Sequence, residues 1–219
     1  MTPSLKLALG SAVAFAALAV AVSLGITAPW DVAGLHEMAR FRTPVRTDVM
    51  LGITALGGGN VLAPAGVAFG LWLWFRRGPR DAGHYLGTAL LGWGTYGLLK
   101  WAFARPRPSV IDRLDGAGWW SFPSGHAMAS VIVLGFAVVL MTERRLAWSA
   151  VGLLVAMIAF SRVYLGVHYP SDVIAGLFGG VAWVAAAVVL LRGGTGRAPP
   201  VPVSGTPPDG QTTDSGGAQ

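Results

Sequence analysis

Residues 161–172 read SRVYLGVHYPSD. An arginine, a histidine and an aspartate lie here between two long apolar segments, 146–163 and 171–191. Charge set beside hydrocarbon is costly, so each of these groups needs a partner or a task. Tyr169-Pro170 reads as a helix start, because proline favours the first helical position. Asp172 then falls in the first turn, from which its carboxylate reaches back to His168, four residues earlier. An acceptor on one imidazole nitrogen fixes the tautomer and leaves the other nitrogen free as a nucleophile. Arg162 ends the preceding apolar segment.

Two further polar clusters have the same character. In KWAFARPRP, residues 100–108, Lys100 and Arg107 are seven residues apart. Pro106 and Pro108 stop a helix from running through, so Lys100 ends one segment and Arg107 lies on the chain turning back over it. Both aim at one anion. In SFPSGH, residues 121–126, Pro123 marks another helix start. The free N–H groups of a first turn attract phosphate. Ser124 adds a hydroxyl, Gly125 permits close approach to the backbone, and His126 is placed to give or take a proton. Each cluster alone fits a plainer reading: a snorkelling lysine, a capped helix, a structural histidine–aspartate pair. Together they place three cations, two histidines and a carboxylate on one face of a chain poor in polar residues.

The chain has 219 residues, 53% hydrophobic and 12% charged, with a net charge of +6. A soluble domain carries about 25% charged residues; a mean hydropathy of +0.58 indicates an integral membrane protein, and apolar runs of helical spanning length make it all-α. The absence of cysteine excludes disulfides and thiolate chemistry. The basic balance suits anionic lipid surfaces and anionic substrates. No lysine/arginine stripe supports nucleic-acid binding.

Six spans are expected, at about 5–28, 48–75, 82–102, 124–141, 146–163 and 171–191, making one membrane domain over 1–192. The first is longer than the ~7–15-residue core of a signal peptide. Residues 29–47 fit either a short interfacial helix or a solvated loop, and Gly57 to Asn60 interrupt the second span. The glycines of the third, Gly83, Gly87, Gly92, Gly94 and Gly97, suit close helix approach. The tail 193–219, rich in glycine, proline, serine and threonine, reads as disordered. With six spans both termini share a side with Arg76, Arg77, Arg80, Arg144 and Arg145, which assigns that side to the cytoplasm. The opposite side is also basic, so charge orients the chain only weakly.

A metal site built from His126, His168 and Asp172 is a poor fit, because Lys100, Arg107 and Arg162 repel a divalent cation. A lipid or anion transporter, or a flippase, is the alternative from another class; the polar residues cluster at span ends, not at mid-depth, which disfavours it.

The three clusters in order resemble the type 2 phosphatidic acid phosphatase superfamily, related in its core to the vanadium-dependent haloperoxidases. Lys100 to Arg107-Pro108, Pro123-Ser124-Gly125-His126, and Ser161-Arg162 with His168 and Asp172 match its three motifs without departure. The resemblance implies a membrane lipid phosphatase in which His168 attacks phosphorus, Asp172 orients it, and His126 protonates the leaving oxygen. Lys100, Arg107, Ser124, Gly125 and Arg162 would hold the phosphoryl oxygens, with no metal or other cofactor. The implied substrates are lipid phosphates or diphosphates, such as undecaprenyl diphosphate, phosphatidylglycerol phosphate or phosphatidic acid. The implied location is a plasma membrane of bacterial type, with the site on the outer face. A haloperoxidase activity does not fit, because those relatives are soluble.

Overall fold

The computed structural model describes residues 1–141 and 145–194. The tail from 195 onward and Arg144 lie outside the described residues. Among the described residues the chain is helical, with no strand.

Helix α1 (Pro3–Ser23) starts at a proline, and the Thr2 side chain accepts a hydrogen bond from Leu5 N–H. Its 21 residues give a length of about 31 Å at the helical rise. It ends at Ser23, short of the expected residue 28, and a turn leads into α2 (Ala28–Arg40). The segment left open between helix and loop is therefore helical, and Leu35 and Asp31 on it have no exposed surface. Helix α3 (Pro44–Leu56) repeats the device of α1, with Thr43 accepting from Arg46 N–H. The expected second span is two helices: Gly57 and Gly58 part α3 from α4 (Gly59–Arg77). A side chain at Gly57 would run into Ile158 and crowd His126, so the break also lets α3 meet the helix carrying Ile158 closely beside that histidine.

Helix α5 (Pro79–Phe103) closes at Ala104, whose φ of 42° lies in the left-handed region. Residues 104–124 form a long loop. Then α6 (Gly125–Ser130), a π turn (Val131–Gly135) and α7 (Phe136–Leu140) run on as one rod. Tyr85 of α5 donates its hydroxyl to the Val133 carbonyl within the π turn. Helices α8 (Arg145–Tyr164) and α9 (Pro170–Gly194) complete the bundle, α9 extending past the expected end of the membrane domain.

Four segments are long and apolar enough to cross a membrane: Pro3–Ser23, Pro44–Arg77, Leu146–Tyr164 and Pro170–Leu191. These make the chain an integral membrane protein. The other two expected spans differ. Helix α5 has the length, but Arg80, Asp81, Lys100 and its glycines dilute its apolar character. The rod Gly125–Leu140 is about 24 Å long by helical rise, less than the ~30 Å hydrocarbon thickness.

Helix α1 lies along α9, and α9 packs on α6. Tyr85, Met128, Ile132, Phe136 and Val184 make a buried cluster away from the polar end. The approach of α9 to α6 depends on small residues four apart. A Cβ at Gly176 would sit 2.6 Å from the Ser124 carbonyl oxygen, and one at Gly180 would sit 2.7 Å from Val131 Cβ. In α5 only Gly92 has this role among the glycines expected to have it; the other four have open space around them. The surrounding backbone cannot yield as a side chain can. Gly176→Ala is therefore expected to lower stability by about 1–3 kcal/mol through overpacking. Gly83→Ala, which meets nothing, should be neutral or stabilising by up to about 1 kcal/mol. Thermal unfolding of the two purified variants checks the contrast.

Candidate active site

The polar ends of α5, α6, α8 and α9 meet at one end of the bundle. Lys100, Arg107, Gly125, His126, Arg162 and His168 line a single cavity of about 630 Å³, together with residues of the α3–α4 break. Ser124 and Asp172 have no exposed surface and lie behind this lining.

Lys100 Nζ donates to the Trp120 carbonyl at 2.6 Å and approaches the Ser121 carbonyl at 3.4 Å, so the turning loop fixes where the ammonium sits. Arg107 is pinned by four contacts to carbonyls. Its Nε lies 3.0 Å from Trp119 O and 3.2 Å from Gly118 O, its Nη2 is 2.8 Å from Gly118 O, and its Nη1 is 2.6 Å from Val167 O. That same Nη1 lies 3.2 Å from His168 Nε2. A guanidinium only donates, so Nε2 accepts and the imidazole proton sits on Nδ1. Nδ1 faces Asp172 Oδ2 at 3.5 Å and Ser121 Oγ at 3.4 Å. The spacing seen in the sequence thus gives the contact expected of it.

Asp172 is held by more groups than the sequence suggested. Its Oδ1 accepts from Arg105 Nη1 at 2.6 Å. Its Oδ2 accepts from the Ser121 hydroxyl and, at 3.0 Å, from Tyr169 N–H. Arg105 also donates through Nη2 to Asp31 Oδ2 at 2.7 Å, and its guanidinium lies 4.1 Å from the centre of the Tyr169 ring. Asp31 in turn accepts from both the N–H and the hydroxyl of Ser171. Burial opposes the charge on Arg105, but Asp172 and Asp31 outweigh it and raise its pKa.

Arg162 Nη1 donates to the Thr54 hydroxyl and, at 2.6 Å, to Asp115 Oδ2. Its Nε and the Ser124 hydroxyl are buried with no hydrogen-bond partner among the described residues. Buried donors left unpaired cost about 1–3 kcal/mol each, and a bound anion beside them would offset that cost. Ser124 N–H is committed to the Asp172 carbonyl, so this amide of the expected anion-binding turn is already used.

The loop enclosing the cavity carries a second non-glycine residue in the left-handed region besides Ala104: Trp119, at a φ of 64°. Its ring is exposed and meets Trp101 edge-on at 5.6 Å between centroids.

Arg105, Asp31, Thr54, Asp115 and Ser121 carry site contacts that the motifs did not assign. An acid in the first turn of a mostly apolar helix, and a second arginine inside the first cluster, were the available signals. Neither shows its partner.

Residues 81–194, just over half of the chain, match the PAP2 superfamily, and the chain belongs to that family. It is accordingly an enzyme of the lipid phosphatase type, a hydrolase of phosphate esters. Phosphatidylglycerophosphatase B of Bacillus subtilis (strain 168) is 31% identical over 175 residues, spanning 74% of this chain and 83% of that protein. A lipid A 1-phosphatase of Rhizobium etli is 37% identical over 123 residues, 51% of this chain and 52% of that protein. The crystal structure of the first transmembrane PAP2 type phosphatidylglycerolphosphate phosphatase, from Bacillus subtilis, superposes with a TM-score of 0.80. That pair shares 26% identity over 86% of this chain and 97% of the other.

Burial, with Arg107 and Lys100 nearby, pushes the His168 pKa down to about 3 despite the contact with Asp172. The unfolded chain, with an ordinary histidine near 6.5, then binds more protons than the native state between these values. Stability from this group is complete above about pH 6.5 and is lost as pH falls toward 3. An NMR titration should find His168 neutral down to about pH 4. The stability gap between the parent and His168→Asn should shift against the parent as pH falls from 6.5.

Proposed function

We propose that this chain removes phosphate from a lipid phosphomonoester or diphosphate through a phosphohistidine on His168, without a metal. The observation that carries the reading is the shared cavity. Three separated segments contribute Lys100, Arg107, Gly125, His126, Arg162 and His168 to its lining. An apolar cleft between α4 and α5 adjoins it and shares Leu62, Ala63 and Trp93 with it. A head group would occupy the charged cavity while its tail stays against the cleft.

In the first step His168 Nε2 attacks phosphorus. The bond from phosphorus to the leaving oxygen breaks, and His126 delivers a proton to that oxygen. The imidazole becomes cationic, and Asp172 offsets its charge through Nδ1–H. In the second step water attacks phosphorus, the P–N bond breaks, His126 takes the water's proton, and His168 returns to neutral imidazole. Lys100, Arg107 and Arg162 balance the charge of the equatorial oxygens, with Ser124 and Gly125 as further donors. Phosphoryl transfer needs mainly positioning and charge stabilisation, which these cations supply. Phosphatidylglycerol phosphate is the first substrate to assay, ahead of undecaprenyl diphosphate and phosphatidic acid, because the Bacillus subtilis relative that matches most of the chain is named for it, as is the solved structure from that organism.

The membrane domain over 1–192 contains six crossings in this reading, with α5 and the α6–α7 rod as the third and fourth. Both termini are cytoplasmic, and the cavity opens at the outer face of a bacterial-type plasma membrane. The short rod is accommodated because its neighbours, not lipid, cover most of it: Ala127, Met128, Ile132 and Phe136 are buried.

His168→Asn should lower phosphate release by about a thousand-fold or more, as loss of a nucleophile does, with the fold retained. Turnover surviving the change removes the proposed nucleophile. His126→Ala should cost about 10²–10⁴-fold on a lipid alkoxide leaving group and much less on p-nitrophenyl phosphate, whose leaving group needs no proton. Vanadate should inhibit and chelators should not; loss of activity in a chelator, restored by one divalent metal, reverses the mechanism. Trp119→Cys in this cysteine-free chain should react with an impermeant thiol reagent added outside intact cells. Reaction only after lysis would invert the topology.

A further inference from the structure

Arg105 is partly buried at the site, its side chain 15% exposed, yet it does not line the cavity. It lies behind the imidazole–aspartate pair. It bridges two carboxylates without exposed surface, Asp31 of α2 and Asp172 of α9. We propose that Arg105, clamped by Asp31, is a positioning residue that acts through Asp172 on His168 and does not touch the substrate. The proposal rests on the reading of His168 as the nucleophile.

Three features support it. The first is rotation. Arg105 occupies Asp172 Oδ1, which leaves Oδ2 to face Ser121, Tyr169 N–H and His168 Nδ1. Without that anchor the carboxylate is free to turn either oxygen toward the imidazole. The second is charge. Asp31 and Asp172 both contact Ser171 or its neighbours, and both are fully buried. One guanidinium bridges the two carboxylates at 2.6–2.7 Å, and a negative charge on Asp172 is what a cationic imidazole needs during transfer. The third is rigidity. The Tyr169 ring lies against one face of the guanidinium, and Asp31 fixes Nη2 while Asp172 and Ser171 fix Nη1. Planar, bidentate placement of this kind is a property of arginine that lysine only partly reproduces.

Asp31 comes from a helix that contributes nothing to the cavity lining. Its position near the start of α2 couples the N-terminal part of the chain to the reacting imidazole. The helix is thus part of the positioning machinery, and the three sequence motifs alone do not complete the site.

The test is steady-state kinetics of the full-length purified chain on dioctanoyl phosphatidylglycerol phosphate. Arg105→Gln should lower kcat by about 10–100-fold, the scale of a misplaced reacting group, with KM within about twofold. Arg105→Lys should recover part of the loss. Asp31→Asn should lower kcat in the same direction, and the double variant with Arg105→Gln should be no worse than Arg105→Gln alone, because the two act in series. Arg107→Gln, a change at a cation that lines the cavity and meets the phosphoryl oxygens, should by contrast raise KM as well as lower kcat. If Arg105→Gln does not fold by thermal unfolding, Arg105→Lys and Asp31→Asn carry the same split of kcat against KM. A rise in KM with kcat unchanged, an unchanged kcat, or single losses that multiply in the double variant would each overturn the proposal. His168→Asn inactive beside an Arg105→Gln at full kcat sinks this inference alone. His168→Asn with turnover sinks the nucleophile reading beneath it.

Discussion

A carboxylate with no exposed surface stands at the end of a bundle of apolar helices, and the rest of the site is arranged to keep it ionised. Asp172 receives donors from Arg105, Ser121 and the Tyr169 backbone, and faces His168. Burying an unpaired charge is expensive, whereas a carboxylate accepting several hydrogen bonds is stabilised. Those donors come from the loop after α5, the stretch before α6 and the start of α9. Meeting their requirement forces three distant segments to converge, and convergence creates the cavity.

Close packing makes this possible. At Gly57 the chain breaks where α3 passes α8 and His126, and at Gly176 it lets α9 lie against the Ser124 carbonyl. Both contacts sit near the polar end of the bundle. The cations around the cavity are held differently from the carboxylate. Lys100 and Arg107 are fixed by loop carbonyls, and Arg162 by Thr54 and Asp115. Carbonyl dipoles orient a cation without cancelling its charge, so the pocket stays attractive to an anion.

The similarity to lipid phosphatases extends across most of the chain and includes a solved structure of the same fold. It agrees with the separation of roles in the bundle: apolar helix surface outward, ionisable groups drawn to one end. Trp101 and Trp119 at that end stack edge-on beside the loop.

Much of this was legible in the sequence. The helix start at Pro170 follows from proline chemistry, although α6 begins at Gly125, two residues past the Pro123 expected to open it, and the break at Gly57–Gly58 follows from glycine. The His168–Asp172 contact follows from a spacing of four residues across a helix start. These are local consequences of covalent structure and periodicity, so the sequence by itself determined them. It did not determine that Asp31 would meet Arg105 and Ser171, that Thr54 and Asp115 would share Arg162, or that only Gly92 among the α5 glycines would be packed. Those outcomes depend on which helix faces which. Many residues, far apart in the chain, settle that through the shape of their packing, and the tertiary structure alone decided it.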